Sequence, residues 1–266
     1  MAQDDAHIFC EPEQVEAELD SFFALTKEIY RALGLEDPEI AVSTRPEEFS
    51  GDTTDWDVAG QQLADAVKRA GYECSMKPGE AAFYGPKIEC DFRDVMGRAW
   101  TLATLQVDVS MPGRFGLRYV GRDDKLHQPA MLHRAILGSL ERFIALYTEM
   151  TGGDFPFWLA PVQVALLPIA DRHQAYAGRV QVALEGAGIR VFLDTRNEKL
   201  GYKIREAEIQ KVPLMLVMGD QEEADGTVTP RHRRGSKQSN EAVALDKLVD
   251  ELATDVRERR VSRSED

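Results

Sequence analysis

Apolar positions over residues 12–34 recur at helical spacing. Val15, Leu19, Phe22, Phe23, Leu25 and Ile29 share one broad face, Pro12 suits a first turn, and Gly34 marks the end. The run EIAVSTRP is β-branched and apolar, which predicts a strand stopped by Pro46. Residues 54–71 repeat the helical pattern and close on Gly71. Residues 81–94 and 98–109 read as two strands joined by a turn containing Gly97, and 132–150 begins as a strand and becomes a helix. After Gly152-Gly153-Asp154-Phe155-Pro156 the pattern changes. Buried strands at 162–168, 189–193 and 213–218 alternate with helices at 172–187 and 201–211, and a final amphipathic helix spans 239–260. That β-α-β-α-β order predicts an α/β unit with a largely parallel sheet. The expected fold is therefore an α+β domain with an antiparallel sheet over 1–158, followed by a small α/β domain over 159–266, with the boundary near 152–161.

Composition sets limits on function. At 266 residues and 43% hydrophobic content the chain can build two cores, and no apolar run nears the ~20 residues of a membrane span. The start, MAQDDAHIF, is acidic and polar, unlike a signal peptide. Cys10, Cys74 and Cys90 are odd in number and widely spaced, which suits a reducing cytoplasm. The net charge of −14 on its face argues against nucleic-acid binding, but it is uneven. Residues 1–158 hold 15 Lys/Arg against 28 Asp/Glu, and residues 159–266 hold 17 against 18. The most basic stretch is RHRRGSK at 231–237, so any contact with RNA must come from local patches.

Three segments carry candidate chemistry. In TLATLQVDV, alternation puts Thr104, Gln106 and Asp108 on one strand face and Leu105, Val107 and Val109 on the other. In GEAAFYGPKIE, Gly85-Pro86 suggests a turn presenting Tyr84, with Lys87 just beyond. In MLHRAILGSLERF, an apolar strand-like approach leads through Gly138 and Ser139 to Glu141-Arg142 at a helix start. A guanidinium there can fork onto phosphate oxygens.

With QDDAHIFC at 3–10, these segments resemble the threonyl-tRNA synthetases, a family of class II aminoacyl-tRNA synthetases, and MLHRAILGSLERF resembles their motif 3. The resemblance runs from Gln3 to about residue 258. It implies a class II synthetase catalytic remnant followed by an anticodon-binding domain, and a threonine–tRNA ligase activity with ATP, threonine and tRNA(Thr) as partners. Arg142 would grip the ATP triphosphate, Lys87 would assist, and Gln106 would contact the adenylate. Gln3, Asp5 and Tyr84 would line the threonine pocket. His7 and His133 would be two ligands of a Zn2+ ion that holds the substrate amino and hydroxyl groups, and Mg2+ would accompany ATP. Cys10 does not match the third ligand and reads as core. Asn197, Glu222 and Arg231 match positions that contact anticodon bases. The chain departs from the family at Thr101-Leu102-Ala103, where Gln-Cys-Gly is typical, and the Ala103 methyl would crowd the nucleotide floor.

Motif 1, motif 2 and the zinc Cys are not among these residues, so the chain alone is expected to be inactive. Three readings follow. The chain is the C-terminal part of a homodimeric ligase, a non-catalytic tRNA-binding relative, or one half of a split enzyme with an N-terminal partner half.

Overall fold

The computed structural model describes residues 1–233 and 241–261. The chain divides into two units: Met1–Arg31 with Leu35–Met150, and Ala32–Gly34 with Thr151–Asp266.

The first unit is built on a six-stranded sheet. In chain order its elements are β1 (Ala6–Cys10), α1 (Val15–Leu33), β2 (Glu39–Ser43), α2 (Thr53–Arg69), β3 (Cys74–Lys77), β4 (Lys87–Arg93), β5 (Ala99–Asp108), α3 (Met111–Arg114), β6 (Tyr119–Val120), β7 (Leu126–His127), β8 (Ala130–Ala135) and α4 (Leu140–Thr151). The strand order is β1-β8-β5-β4-β2-β3, antiparallel except for the β2–β3 pair at one edge. Pro12–Gln14 form a 3-10 turn ahead of α1 rather than part of it. Residues 81–86, expected as strand, instead make a tight turn with Ala82 bridged to Gly85, and pairing begins only at Lys87. The sheet has one apolar face. Ile88, Cys90, Phe92 and Leu105 are buried on it, and Tyr30 of α1 meets Phe92 edge-on at 5.0 Å. Leu19 and Phe22 of α1 and Leu63 of α2 are fully buried, so truncating one of the leucines to alanine removes about 2–5 kcal/mol.

The turn between β4 and β5 is organised by one carboxylate. Asp94 accepts bonds from the Met96 and Arg98 N–H groups (both 2.9 Å), from Arg98 Nε (2.6 Å) and from Trp100 Nε1 (2.9 Å). Burial pushes its pKa up, but these donors outweigh burial and hold it down at about 2. A folded pKa below the unfolded value means stability present above pH ~4 and lost as pH falls toward 2. Asp94→Asn should therefore be less stable than the parent at pH 7, with the gap in urea midpoint closing between pH 4 and 2. A gap that stays constant across that range would contradict this account.

The second unit comprises β9 (Val164–Pro168), α5 (Gln174–Gly186), β10 (Val191–Leu193), α6 (Leu200–Ile209), β11 (Leu214–Met218), α7 (Asp220–Asp225), β12 (Thr227–His232), β13 (Val243–Ala244) and α8 (Leu245–Arg257). Its sheet order is β10-β9-β11-β12-β13. The first three strands are parallel, as expected, while β12 and β13 return antiparallel and make the sheet mixed. The final helix begins at Leu245, with a short strand before it. Residues 239–240 of the expected helix, and 234–237 of the basic stretch, lie outside the described residues. Both faces of the sheet are covered, one by a core including Val180, Leu184, Leu248 and Leu252, the other by a core including Ala207 and Val212.

Candidate functional site

Strand pairing draws one line of residues across the first sheet. His7 pairs with His133, His133 with Gln106, Gln106 with Lys87, Lys87 with Ser43, and Ser43 with Lys77. Cα partners in register project to the same face. The face opposite the helices is therefore polar, and six strands contribute one residue each to this row.

The His end gathers three rings and a carboxylate. The His7 and His133 rings meet edge-on at 4.7 Å, and the Tyr84 ring is 5.1 Å from His133. The Tyr84 hydroxyl donates to Gln106 Oε1 at 2.8 Å. Burial raises the Tyr84 pKa first, helped by the negative charges of Asp108 and Asp5, so the phenol stays a donor and Asp5 acts at this end of the row. Asp108 Oδ2 is 2.9 Å from His133 Nε2, and its Oδ1 accepts from Ser110 and Met111 N–H at 2.9 and 2.7 Å. Burial would raise Asp108, but His133 and these two backbone donors win and its pKa falls. Asp108 thus fixes the His133 ring. Alternation placed Asp108 on the correct face, but its partner, 25 residues away, has no sequence signature.

His7 and His133 supply two imidazoles, and a substrate-binding zinc needs three protein ligands. Among the described residues no group of three His, Cys, Asp or Glu could hold a metal. Cys10 pairs with Ala130 and, by alternation, projects from the opposite face of β1, so it cannot join the two His. The described residues fit two corners of such a site and do not complete it.

The Lys end is a charge network. Lys77 Nζ reaches Glu89 at 2.9 Å and Asp91 at 3.0 Å, Lys87 also pairs with Glu89, and the Ser43 hydroxyl donates to Glu89 at 3.0 Å. Burial alone would raise Glu89, but the two lysines and Ser43 lower it. Thr101 hydrogen-bonds Asp91 beside them. Ala103 corrects the expectation of a crowded floor. It pairs with buried Cys90 and is itself buried, so its methyl lies in the helix-side core and not on the polar face.

Arg142 stands apart from the row, at the start of α4. It is exposed, and its guanidinium lies over the Trp100 ring at 5.4 Å. No carboxylate among the described residues pairs with it. The loop before it is held by a residue the sequence did not single out. Asp4 accepts the N–H groups of Ile136, Leu137 and Gly138 at 2.7, 3.0 and 2.9 Å. Gln3 is bridged to Ser139, and Glu141 accepts from Ala2 N–H at 2.8 Å. Gly138 has φ +67°, and a Cβ there would sit 3.0 Å from the Leu102 carbonyl, so this tight approach needs glycine. The Gln3 backbone therefore meets the loop that leads to Arg142.

In the second unit, Asn197 is exposed in the loop between β10 and α6. That loop is anchored by buried Asp194, which accepts from Arg196 N–H, Nε and Nη2, and by buried Lys203, whose Nζ donates to the Pro168 and Asp194 carbonyls at 3.2 Å each. These carbonyls lie at the carboxyl ends of parallel strands, where open α/β sheets bind ligands. Glu222 follows β11 at the same edge. Its Oε2 accepts from Gly219 N–H at 2.8 Å and its Oε1 from the Thr229 hydroxyl at 2.7 Å. Arg231 lies two residues beyond Thr229 on β12, hence on the same strand face, 3.4 Å from Glu208. Glu222 and Arg231 thus share a face, and each is already engaged internally.

The comparisons agree with this division. Residues 1–151 match the family described as "tRNA synthetase class II core domain (G, H, P, S and T)", and residues 163–255 match "Anticodon binding domain". The chain belongs to the class II tRNA synthetases, in the group that carries this anticodon-binding domain. Within that class its similarity throughout is to the C-terminal part of threonyl-tRNA synthetases. It is 51% identical to a "Threonine--tRNA ligase" of Halorhodospira halophila over 96% of this chain and 39% of that protein. To one of Symbiobacterium thermophilum it is 52% identical over 88% and 36%. Among solved structures, the "RNA binding domain of Threonyl-tRNA synthetase" from Cryptosporidium parvum superposes with TM-score 0.90 at 36% identity, covering 99% of this chain and 65% of that one. The chain spans about two fifths of the length of the curated relatives it matches. Among the described residues, no helix is long and apolar enough to cross a membrane.

Proposed function

We propose that this chain forms the C-terminal part of a threonine–tRNA ligase, which activates threonine with ATP and transfers it to tRNA(Thr). The observation that carries the reading is the row His7–His133–Gln106–Lys87 on one polar face, completed by Tyr84 and Asp108, in a chain that also holds an anticodon-binding domain. In this reading Tyr84, Gln106, Asp5 and Gln3 orient threonine and adenylate. His7 and His133 give two ligands to a zinc ion whose third ligand lies outside the described residues. Arg142, which pairs with no carboxylate among the described residues, and Lys87 take phosphate charge alongside Mg2+. A threonine carboxylate oxygen bonds to the α-phosphorus and pyrophosphate leaves, so the protein contributes position and charge rather than a nucleophile. Asn197, Glu222 and Arg231 read unstacked anticodon bases. The whole ligase is a homodimer working in the cytoplasm, where the three thiols stay reduced.

Binding of tRNA by the 266-residue chain tests the reading most directly. The chain should hold tRNA(Thr) more tightly than a transcript with a replaced anticodon. Glu222→Ala and Arg231→Ala should each erase about 1–3 kcal/mol of that preference at one base. Equal binding of all transcripts would sink the proposal. Threonine-dependent ATP–pyrophosphate exchange by the chain alone would show that no further polypeptide is needed.

A further inference from the structure

Helix α7 carries Glu222 yet buries none of its side chains. A six-residue helix with no apolar anchor cannot owe its placement to hydrophobic burial. Its ties are polar. Arg172 grips Asp220 through two bonds of 2.9 and 2.8 Å, but both groups are well exposed and such a pair contributes little. Arg179 comes only to 3.9 Å from Glu223. Glu222 closes the first turn on Gly219 and reaches Thr229 of β12.

His173 is the buried tie to the β9–α5 junction. It is 1% exposed, at the end of the 3-10 turn Asp171–His173 that leads into α5. Its Nδ1 lies 3.0 Å from Glu223 Oε2, and its Nε2, which makes no hydrogen bond, is 3.5 Å from Asp220 Oδ1. One imidazole thus faces two carboxylates of α7, on either side of Glu222. Hydrogen bonds to charged groups in such shielded positions are the ones that fix geometry.

We propose that His173 is a positioning residue for base recognition, holding α7 so that Glu222 Oε1 is presented to an amino group of an unstacked base. The inference rests on the reading of Glu222 given above. Oε2 is held by Gly219, and Oε1, already sharing one lone pair with Thr229, keeps another for the base. Losing the imidazole frees both flanking carboxylates. The helix then turns about its Gly219 end, and Glu222 loses its aim.

The test uses the full 266-residue chain and two anticodon stem-loops differing at the base that Glu222 distinguishes. The readout is the ratio of their dissociation constants. His173→Ala should reduce that ratio about tenfold while leaving affinity for the mismatched loop unchanged. His173→Asn, whose side-chain amide stands where Nδ1 was, should recover most of the ratio, a rescue that mere cavity filling would not give. Glu223→Gln, at a half-exposed position, should give a smaller loss and carries the test if His173→Ala does not fold. A folded His173→Ala or Glu223→Gln that keeps the full ratio, while Glu222→Ala abolishes it, overturns the inference. If Glu222→Ala leaves the ratio intact at every anticodon position, the reading of Glu222 fails instead, and the role of His173 in recognition falls with it.

Discussion

Gly85→Ala should cost about 3 kcal/mol or more and dislodge Tyr84 from the polar face. An added Cβ at this position would lie 1.8 Å from the Val107 carbonyl oxygen, a backbone atom in β5 that cannot move aside. The turn is clamped to that strand on both sides of the glycine, by Val109 N–H to the Tyr84 carbonyl at 3.0 Å and Val107 N–H to the Pro86 carbonyl at 3.2 Å. Accommodating a methyl breaks these two bonds and lifts the turn away. The Tyr84 hydroxyl then leaves Gln106, and its ring leaves His133. Urea unfolding of the variant should show the lost stability. A parent-like midpoint would mean that the turn does not press on β5 as closely as the structure has it.

Asp4→Ala should be the next most damaging change, by about 3 kcal/mol, and its effect should centre on the loop that delivers Arg142. Three backbone N–H groups, of Ile136, Leu137 and Gly138, share the Asp4 carboxylate as acceptor. Hydrogen bonds to a charged acceptor contribute about 1.5–3 kcal/mol each, and donors left partly buried without one add a desolvation cost. Water will satisfy part of this set because the site is only partly buried, which is why the expected loss is below the sum. Amide hydrogen exchange at residues 136–138 should accelerate in the variant while β4 and β5 stay protected. Unchanged protection at those three amides would remove Asp4 from its structural role. Asp4→Asn, which keeps an oxygen but no charge, should fall between the two.

Asp4 and Asp5 show how the sequence informs and where it stops. Asp5 stands two residues before His7 in the QDDAHIFC run that carries the family resemblance, and its charge acts on Tyr84. Asp4 carries no such label, and its three partners lie more than 130 positions away. Likewise His173 is an ordinary residue at a helix start in the sequence. Only folding brings it against α7, a helix too short and too polar to announce itself by periodicity.

The hydrophobic pattern by itself determined most of what repeats: α1, α2, α4, α5 and α6, the strands β2, β5, β9 and β11, and the change of architecture after Gly153. These follow from periods of 3.6 and 2 that any chain must satisfy to bury one face. It also placed Gln106 and Asp108 on one face. Segment 81–86 looked like a strand because its composition is apolar, but Gly85 packs so close to β5 that a turn wins there. Ala103 seemed to belong to the nucleotide floor, and strand register put it in the core. The tertiary structure alone decided the row from His7 to Lys77, the Asp108–His133 pair, the lysine–glutamate network and the clamp on the Arg142 loop. Most of these contacts join residues on different strands or loops, and the Lys87–Glu89 pair, though local, is built into a network with Lys77 and Ser43 that only strand pairing assembles. Their energy depends on distance and burial in the folded state, which local sequence does not encode.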